Sequence, residues 1–410
     1  MIFKIIIGIL LFALLVYQFC YVKKWYRPAD IYLLWSCVLI GGALVLYPTY
    51  NWNAIGVFWW LGSCFLCSLF SNLGFKNPIV FSKERYATFV VNSKIKYKYV
   101  LIAFFLCAFA YSIRLLSLHG FSLFSIRRIS DLYSINNYMQ GYRYGNMDES
   151  EDLLQQIFLC FTYALPLCGG ILICYNKNCK IWQKILCFVT LAPNFLISFL
   201  NNTKTGIIFA CILFFAGYII GNLLFYRKSP RFTAKLLKRL LLLLAIFLLL
   251  VFFIIKLRYN TNSERQTPLY VIGILRDYIF GGVINFDYFF TQIKSMDLTQ
   301  SYSYLDNSNI LTANTFFIHQ YGYFLTLVLW SGIGWISGIS YKNLLRGKKG
   351  IVNVLILIYS YMNAVYFFTY IPYRYLTLII GTFILFPVFY YIFKNNTKNF
   401  TQNKFDLQRR

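Results

Sequence analysis

Charge is scarce in this chain: 13% of its 410 residues are Asp, Glu, Lys or Arg, and only 13 of them are acidic. A soluble domain keeps roughly a quarter of its residues charged, so a water-facing globule of this length is excluded. Histidine is nearly absent, with His119 and His319 alone. The 11 cysteines all lie at or before Cys211, and none falls in the long polar loops, so no disulfide framework is implied. Cys64-x-x-Cys67 has a metal- or redox-type spacing, but it sits in an apolar run without partner ligands and reads as helix packing. There is no internal repeat, and so no inverted-repeat signature of the kind found in many secondary transporters. No metal site and no cofactor requirement is evident.

What is abundant is apolar length. Hydrophobic residues make up 59% of the chain and aromatics 21%. Runs of about 20 apolar residues match a hydrocarbon core of ~30 Å. The sequence predicts an all-α polytopic integral membrane protein of about eleven spans, at 2–22, 29–49, 53–73, 99–118, 153–175, 181–199, 205–226, 239–256, 314–340, 351–371 and 374–393. Residues 1–393 then form one transmembrane domain, and the polar tail 394–410 lies outside it. The first span lacks the small-x-small site of a cleaved signal peptide, having Tyr17-Gln18-Phe19-Cys20 instead.

The Lys and Arg residues give the ladder a direction. After the first, third, fifth, seventh, ninth and eleventh spans they number 3, 6, 3, 6, 4 and 5, which is 27 of the 39. By the positive-inside rule that side is cytoplasmic. The N-terminus is then on the outer side and the C-terminus in the cytoplasm. Ten of the 13 acidic residues fall on the outer side; Asp30, Glu84 and Asp406 do not. The formal net charge of +26 is thus mostly a topology signal, and no basic soluble face is present for nucleic acid.

Three connections are long. The cytoplasmic loop 74–98 is basic and reads as an anchor for lipid headgroups. The outer loops 119–152 and 257–313 are rich in Tyr, Arg and Asp, and loops of such length are commonly functional. Within the second, 269–290 is nearly long enough to span. It carries Arg276, Asp277 and Asp287, and making it a span would move the basic loop 342–349 outside. It reads as an interfacial or re-entrant element, broken in the middle by Gly281-Gly282.

Twelve cations lie on the side that normally excludes them, which suggests an anionic ligand there. Guanidinium forks suit phosphate oxygens. The candidates are Arg127, Arg128, Lys204, Arg265 and Arg276, with Arg114, Arg143, Arg258 and Arg374 nearby. Most have a plainer reading; Arg276, set in an apolar segment, is harder to dismiss. Arg114 can snorkel, Arg374 can be a helix-end residue, and Arg127-Arg128 can pair with Asp148, Glu149, Glu151 or Asp152 at the far end of the same loop. Arg258 and Arg265 can be solvated loop charges, and Lys204 can be the exposed residue of a capped turn. His319, at an outer span end, is a candidate general base. The outer loops also hold Tyr142, Tyr144, Tyr278 and Tyr288, whose faces suit sugars and whose tips suit a membrane interface.

The turn Asn201-Asn202-Thr203-Lys204-Thr205-Gly206, the segment IFGGVINFDYFF at 279–290 and the late Gly-rich span entered through Asn314-Thr315 combine with two long outer loops. In these features the chain resembles the O-antigen polymerase (Wzy-type) family of bacterial oligosaccharide repeat-unit polymerases. The resemblance implies transfer of a glycan from undecaprenyl pyrophosphate to a new lipid-linked repeat unit. Arg265, Arg276 and Lys204, with Arg127 and Arg128, would hold the pyrophosphate. His319, or failing that Asp287, would take the acceptor proton, and Tyr142, Tyr144, Tyr278 and Tyr288 would face the glycan. Membrane lipids, a chain-length regulator and a flippase are the implied partners. The rival readings are a lipid-linked oligosaccharide flippase or other transporter, an O-antigen ligase, and a non-enzymatic scaffold.

Overall fold

The computed structural model describes residues 2–22, 26–76, 95–122, 128, 131, 134–135, 138–139, 152–175, 181–200, 205–230, 249, 268–298, 311–368, 373 and 375–395. Among these the chain is helical with no strand, and nine helices are long and apolar enough to cross a membrane. It is a multi-pass membrane protein. The helices are α1 (Ile2–Val16, prolonged by the π-helical Tyr17–Val22), α2 (Pro28–Leu46), α3 (Ala54–Lys76), α4 (Tyr97–Leu118) and α5 (Leu153–Tyr175). There follow α6 (Ile181–Val189), α7 (Ala192–Leu200), α8 (Thr205–Tyr226) and α9 (Pro268–Phe289, prolonged by the 3-10 turn Phe290–Ser295). The last are α10 (Ala313–Tyr321), α11 (Tyr323–Leu345), α12 (Ile351–Tyr366) and α13 (Leu376–Ile380), the last opening a span that ends at Asn395. The expected span 239–256 lies outside the described residues, Leu249 apart.

Let the end of the bundle that carries the α2–α3 connection be the upper end. Lys4, at the start of α1, donates to the carbonyl of Pro48 there. α3 and α11 run downward side by side, with Cys67 against Gly334, Ser71 against Gly338 and Phe75 against Tyr341. α5 and α8 also run downward together, with Gly170 against Gly217 and Cys174 against Gly221. Both pairs depend on small residues. A Cβ on Gly338 would lie 2.2 Å from the Ser71 carbonyl oxygen, and one on Gly170 would lie 2.2 Å from that of Phe214. Lipid is as apolar as a helix face, so close backbone approach supplies the attraction that water supplies elsewhere. The lower ends meet where Tyr341 and Ser229 join their hydroxyls at 2.8 Å.

Helix breaks depart from expectation in four places. The expected span 181–199 is interrupted at Thr190-Leu191, between α6 and α7, which together are long enough to cross. The run 314–340 is not one span. Gly322, at φ 83 and ψ 170, ends α10 and begins α11, a conformation essentially reserved for glycine. α10 therefore climbs through the upper part of the bundle from a buried start, where Asn314 meets Trp330 of α11 and the Ala313 N–H donates to the Phe367 carbonyl. α12 stops at Tyr366, short of the expected 371, and meets α10 there. Conversely, Gly281-Gly282 does not break α9, which is continuous. Each interior glycine costs a helix about 1 kcal/mol. Burial of Val283, Ile284, Phe286 and Phe290, at about 1.5–3 kcal/mol per side chain, outweighs that.

Arg27 departs too. It belongs to a connection counted as cytoplasmic, but its side chain is fully buried. Its Nε and Nη2 donate to the two oxygens of Asp30 at 2.7 and 2.6 Å, and Nη1 donates to Asn72 at 2.8 Å. The ring of Phe75 lies under the guanidinium. This explains why Asp30 is acidic on the basic side: it is the counter-ion of a buried arginine, and it sits in the first turn of α2, where a negative charge is favoured.

Gly338→Val should push α3 and α11 apart and lower stability by about 1–3 kcal/mol, read as a lower melting temperature in detergent. Gly62→Ala, with nothing within 4 Å of its new Cβ, should leave the melting temperature unchanged or higher.

Candidate functional site

α9 lies across the upper ends of α2 and α3. Near its middle, Asp277 accepts from the Tyr47 hydroxyl at 2.6 Å, and Phe280 packs against Gly42. Near its end, Asp287 accepts from the Tyr50 hydroxyl at 3.1 Å and from the Asn53 N–H at 2.6 Å. Tyr47, Tyr50 and Asn53 all belong to the single connection between α2 and α3. Both halves of this stretch of α9 therefore touch the same end of the bundle.

Asp287 is the most unusual group. It is fully buried, against Gly56 in the first turn of α3 and next to Phe286 and Phe290 in its own chain. Its Oδ2 caps the start of α3 through Asn53, while its Oδ1 has no hydrogen-bond partner. Burial pushes its carboxyl up to about 7, against the downward pull of the Asn53 and Val57 N–H groups and the Tyr50 hydroxyl. A carboxyl poised near neutrality can take or give a proton at working pH.

Arg276 is three turns away along the same helix. Its Nε and Nη2 bind Asp277 Oδ1 at 2.9 and 2.8 Å, and the guanidinium stands 4.8 Å over the ring of Tyr47. Its side chain is 41% exposed, so part of the fork faces outward. Because α9 is continuous, Arg276 and Asp287 share a face, separated by eleven residues, about 16 Å of axis.

His319 lies in the last turn of α10, half-buried, and its carbonyl accepts from Lys294 Nζ at 3.2 Å. The Tyr323 hydroxyl donates to the Phe290 carbonyl at 2.5 Å, which ties the start of α11 to the end of α9. His319 and Asp287 are thus held at the same end through adjoining elements. Asn314, at the buried start of α10, accepts through Oδ1 from Trp330 Nε1 (2.8 Å) and the Tyr32 hydroxyl (3.3 Å), while its Nδ2 has no partner.

Several upper cations are engaged internally. Arg114, which had a snorkelling reading, pairs with Asp152, and this hydrogen bond holds the Asp152 carboxyl below its usual range. Asp152 is therefore taken from the proposed pairing with Arg127-Arg128. Arg128 is exposed, and its backbone N–H donates to Asp131 at 2.9 Å. Tyr288 is 48% exposed and edges onto Phe289, and Tyr278 is half-buried. Arg127, Lys204, Arg265, Tyr142 and Tyr144 lie outside the described residues, as do Arg143, Arg258 and Arg374.

Sequence reasoning overlooked Tyr47, Tyr50 and Asn53, and took Lys294 only as one of the twelve outer-side cations. A signal was available in Tyr47-Pro48-Thr49-Tyr50-Asn51-Trp52-Asn53, an unusually aromatic and polar turn between two apolar runs. Comparison with protein-family models, curated proteins and solved structures returns no match.

With Asp287 protonated up to about pH 7 in the folded chain and only to ~3.9 in the unfolded one, the folded state holds the extra proton in between. Stability should therefore fall as pH rises from about 4 to about 7, by up to ~4 kcal/mol, and level off above. Asp287→Asn should flatten that slope in melting temperatures measured across the range; an unchanged slope would place the titrating group elsewhere.

Proposed function

We propose that this chain polymerises lipid-pyrophosphate-linked oligosaccharide repeat units at the periplasmic face of a bacterial inner membrane, as an O-antigen polymerase (Wzy-type) glycosyltransferase. The observation that carries the reading is α9: it rests on one end of the bundle and keeps Arg276, Asp287 and His319 on that end. The opposite end carries Lys342, Arg346, Lys348 and Lys349. By the positive-inside rule it faces the cytoplasm, which makes the α9 end periplasmic. α8 leaves the lower end at Ser229, and α9 rests on the upper one. A crossing at 239–256 would join the two and complete the eleven-span topology, N-terminus outside and C-terminus inside.

In this mechanism the outward edge of Arg276 binds the lipid pyrophosphate, with Arg265, Lys204, Arg127 and Arg128 as further cations. Tyr47 and Asp277 hold Arg276 in position. The acceptor hydroxyl attacks the donor's anomeric carbon, the bond to the pyrophosphate oxygen breaks, and lipid pyrophosphate leaves with the electron pair. His319 is the candidate for the hydroxyl proton, because its side chain is partly accessible where that of Asp287 is sealed. Asp287 fits better as the strut that fixes α9 on α3, with proton transfer as its alternative role. Tyr288 and Tyr278, with Tyr142 and Tyr144, are the candidate sugar platforms. A flippase of the same lipid-linked oligosaccharide is the second reading, favoured by the buried Arg27–Asp30 pair, since intramembrane charge commonly marks a transport path.

The deciding experiment is complementation of a polymerase-deletion host. Arg276→Ala at normal protein levels should leave only single-repeat glycan on the cell surface. Full-length polymer would reject the assignment, and undecorated cells with substrate trapped on the cytoplasmic leaflet would favour the flippase.

A further inference from the structure

The lower end holds a second cationic cluster, built differently from the upper one. Arg227 closes α8 with φ 51, a left-handed backbone that a side chain rarely adopts. That turn lays its guanidinium on Gly347, within about 3 Å of where a Cβ would stand. Gly347 is itself left-handed, at φ 82, and is flanked in sequence by Arg346 and Lys348. Neutral bonds tie the surrounding elements together: Tyr341 to Ser229 at 2.8 Å, and the Lys349 carbonyl to the Tyr390 hydroxyl at 3.1 Å. Lys394 also donates to that carbonyl, and Lys342 stands 4.4 Å over the ring of Phe75. Cations from the ends of α8, of α11 and of the span that α13 opens are thus gathered at one corner.

None of Arg227, Lys228, Arg346 and Lys348 has a carboxylate partner among the described residues. Among the described residues the carboxylate at this end is Asp30, already bound at both oxygens by buried Arg27. The upper cations Arg114 and Arg276 each have their own acid. A corner of fixed positive charge with a strained arginine turned into it, and no acid among the described residues to balance it, is complementary to an anion at headgroup depth. We propose that this corner binds the phosphate headgroup of an anionic phospholipid, gripped by Arg227 and Arg346 with Lys228 and Lys348 beside them.

The test uses the full-length protein in a neutral detergent, titrated with phosphatidylglycerol or phosphatidylcholine and followed by thermal melting and native mass spectrometry. Phosphatidylglycerol should raise the melting temperature and remain bound, and phosphatidylcholine should do neither. Arg227→Gly suits the left-handed backbone, so it should keep the lipid-free melting temperature. It should weaken the apparent phosphatidylglycerol affinity about tenfold, as should Arg346→Gln, each removing a charge-assisted contact. Lys4→Gln at the upper end should not. A wild-type phosphatidylglycerol response in both arginine variants would overturn the proposal. An equal shift with inorganic phosphate at the same concentration would also overturn it, since the corner would then be a general anion site.

Discussion

Close approach of parallel helix backbones is the constraint on which everything else rests. Glycine at 334 and 338 lets α11 seat against the carbonyls of Cys67 and Ser71, and glycine at 170, 217 and 221 does the same for α5 and α8. The first pair fixes where the top of α3 stands, and the top of α3 is what Asp287 caps. It also places Trp330 under Asn314, and so sets the depth from which α10 rises toward His319. The candidate chemistry is therefore held by contacts that contain no candidate residue.

Charge separates the two ends in kind as well as in number. At the upper end two of the described arginines are matched by acids in the same protein, Arg114 by Asp152 and Arg276 by Asp277. Such pairing holds a guanidinium in place and leaves only part of its fork for a ligand. At the lower end the exposed cations are held by their backbones and by neutral hydroxyls. The buried Arg27–Asp30 pair belongs to neither pattern. Its donors and acceptors are satisfied inside the bundle, as a charge removed from water must be.

The membrane ladder was legible in the sequence because it depends on composition over about 20 residues. Leu153–Tyr175 and Thr205–Tyr226 begin and end where the apolar runs do. The break at Gly322 was not legible, because an apolar run on both sides hides a single left-handed residue. The continuity of α9 through Gly281-Gly282 was missed for the opposite reason: local propensity favours a break, and tertiary burial overrides it. The partners of Asp287, Tyr50 and Asn53, stand 237 and 234 positions away, beyond any periodicity or spacing. Of the candidate residues, Arg276 and Asp287 were found through their cost in an apolar segment, whereas the turn that receives them had no such mark.

The junction of α10 with α12 also bears on how the protein is made. The first N–H of α10, on Ala313, finds its acceptor on Phe367, which leaves the ribosome 54 residues later. Until then a buried backbone donor lacks its protein partner, a cost of several kcal/mol in hydrocarbon. α10 can therefore settle to its depth only after α12 has entered the membrane. His319, riding on α10, reaches its place late in synthesis, when the frame beneath it already stands.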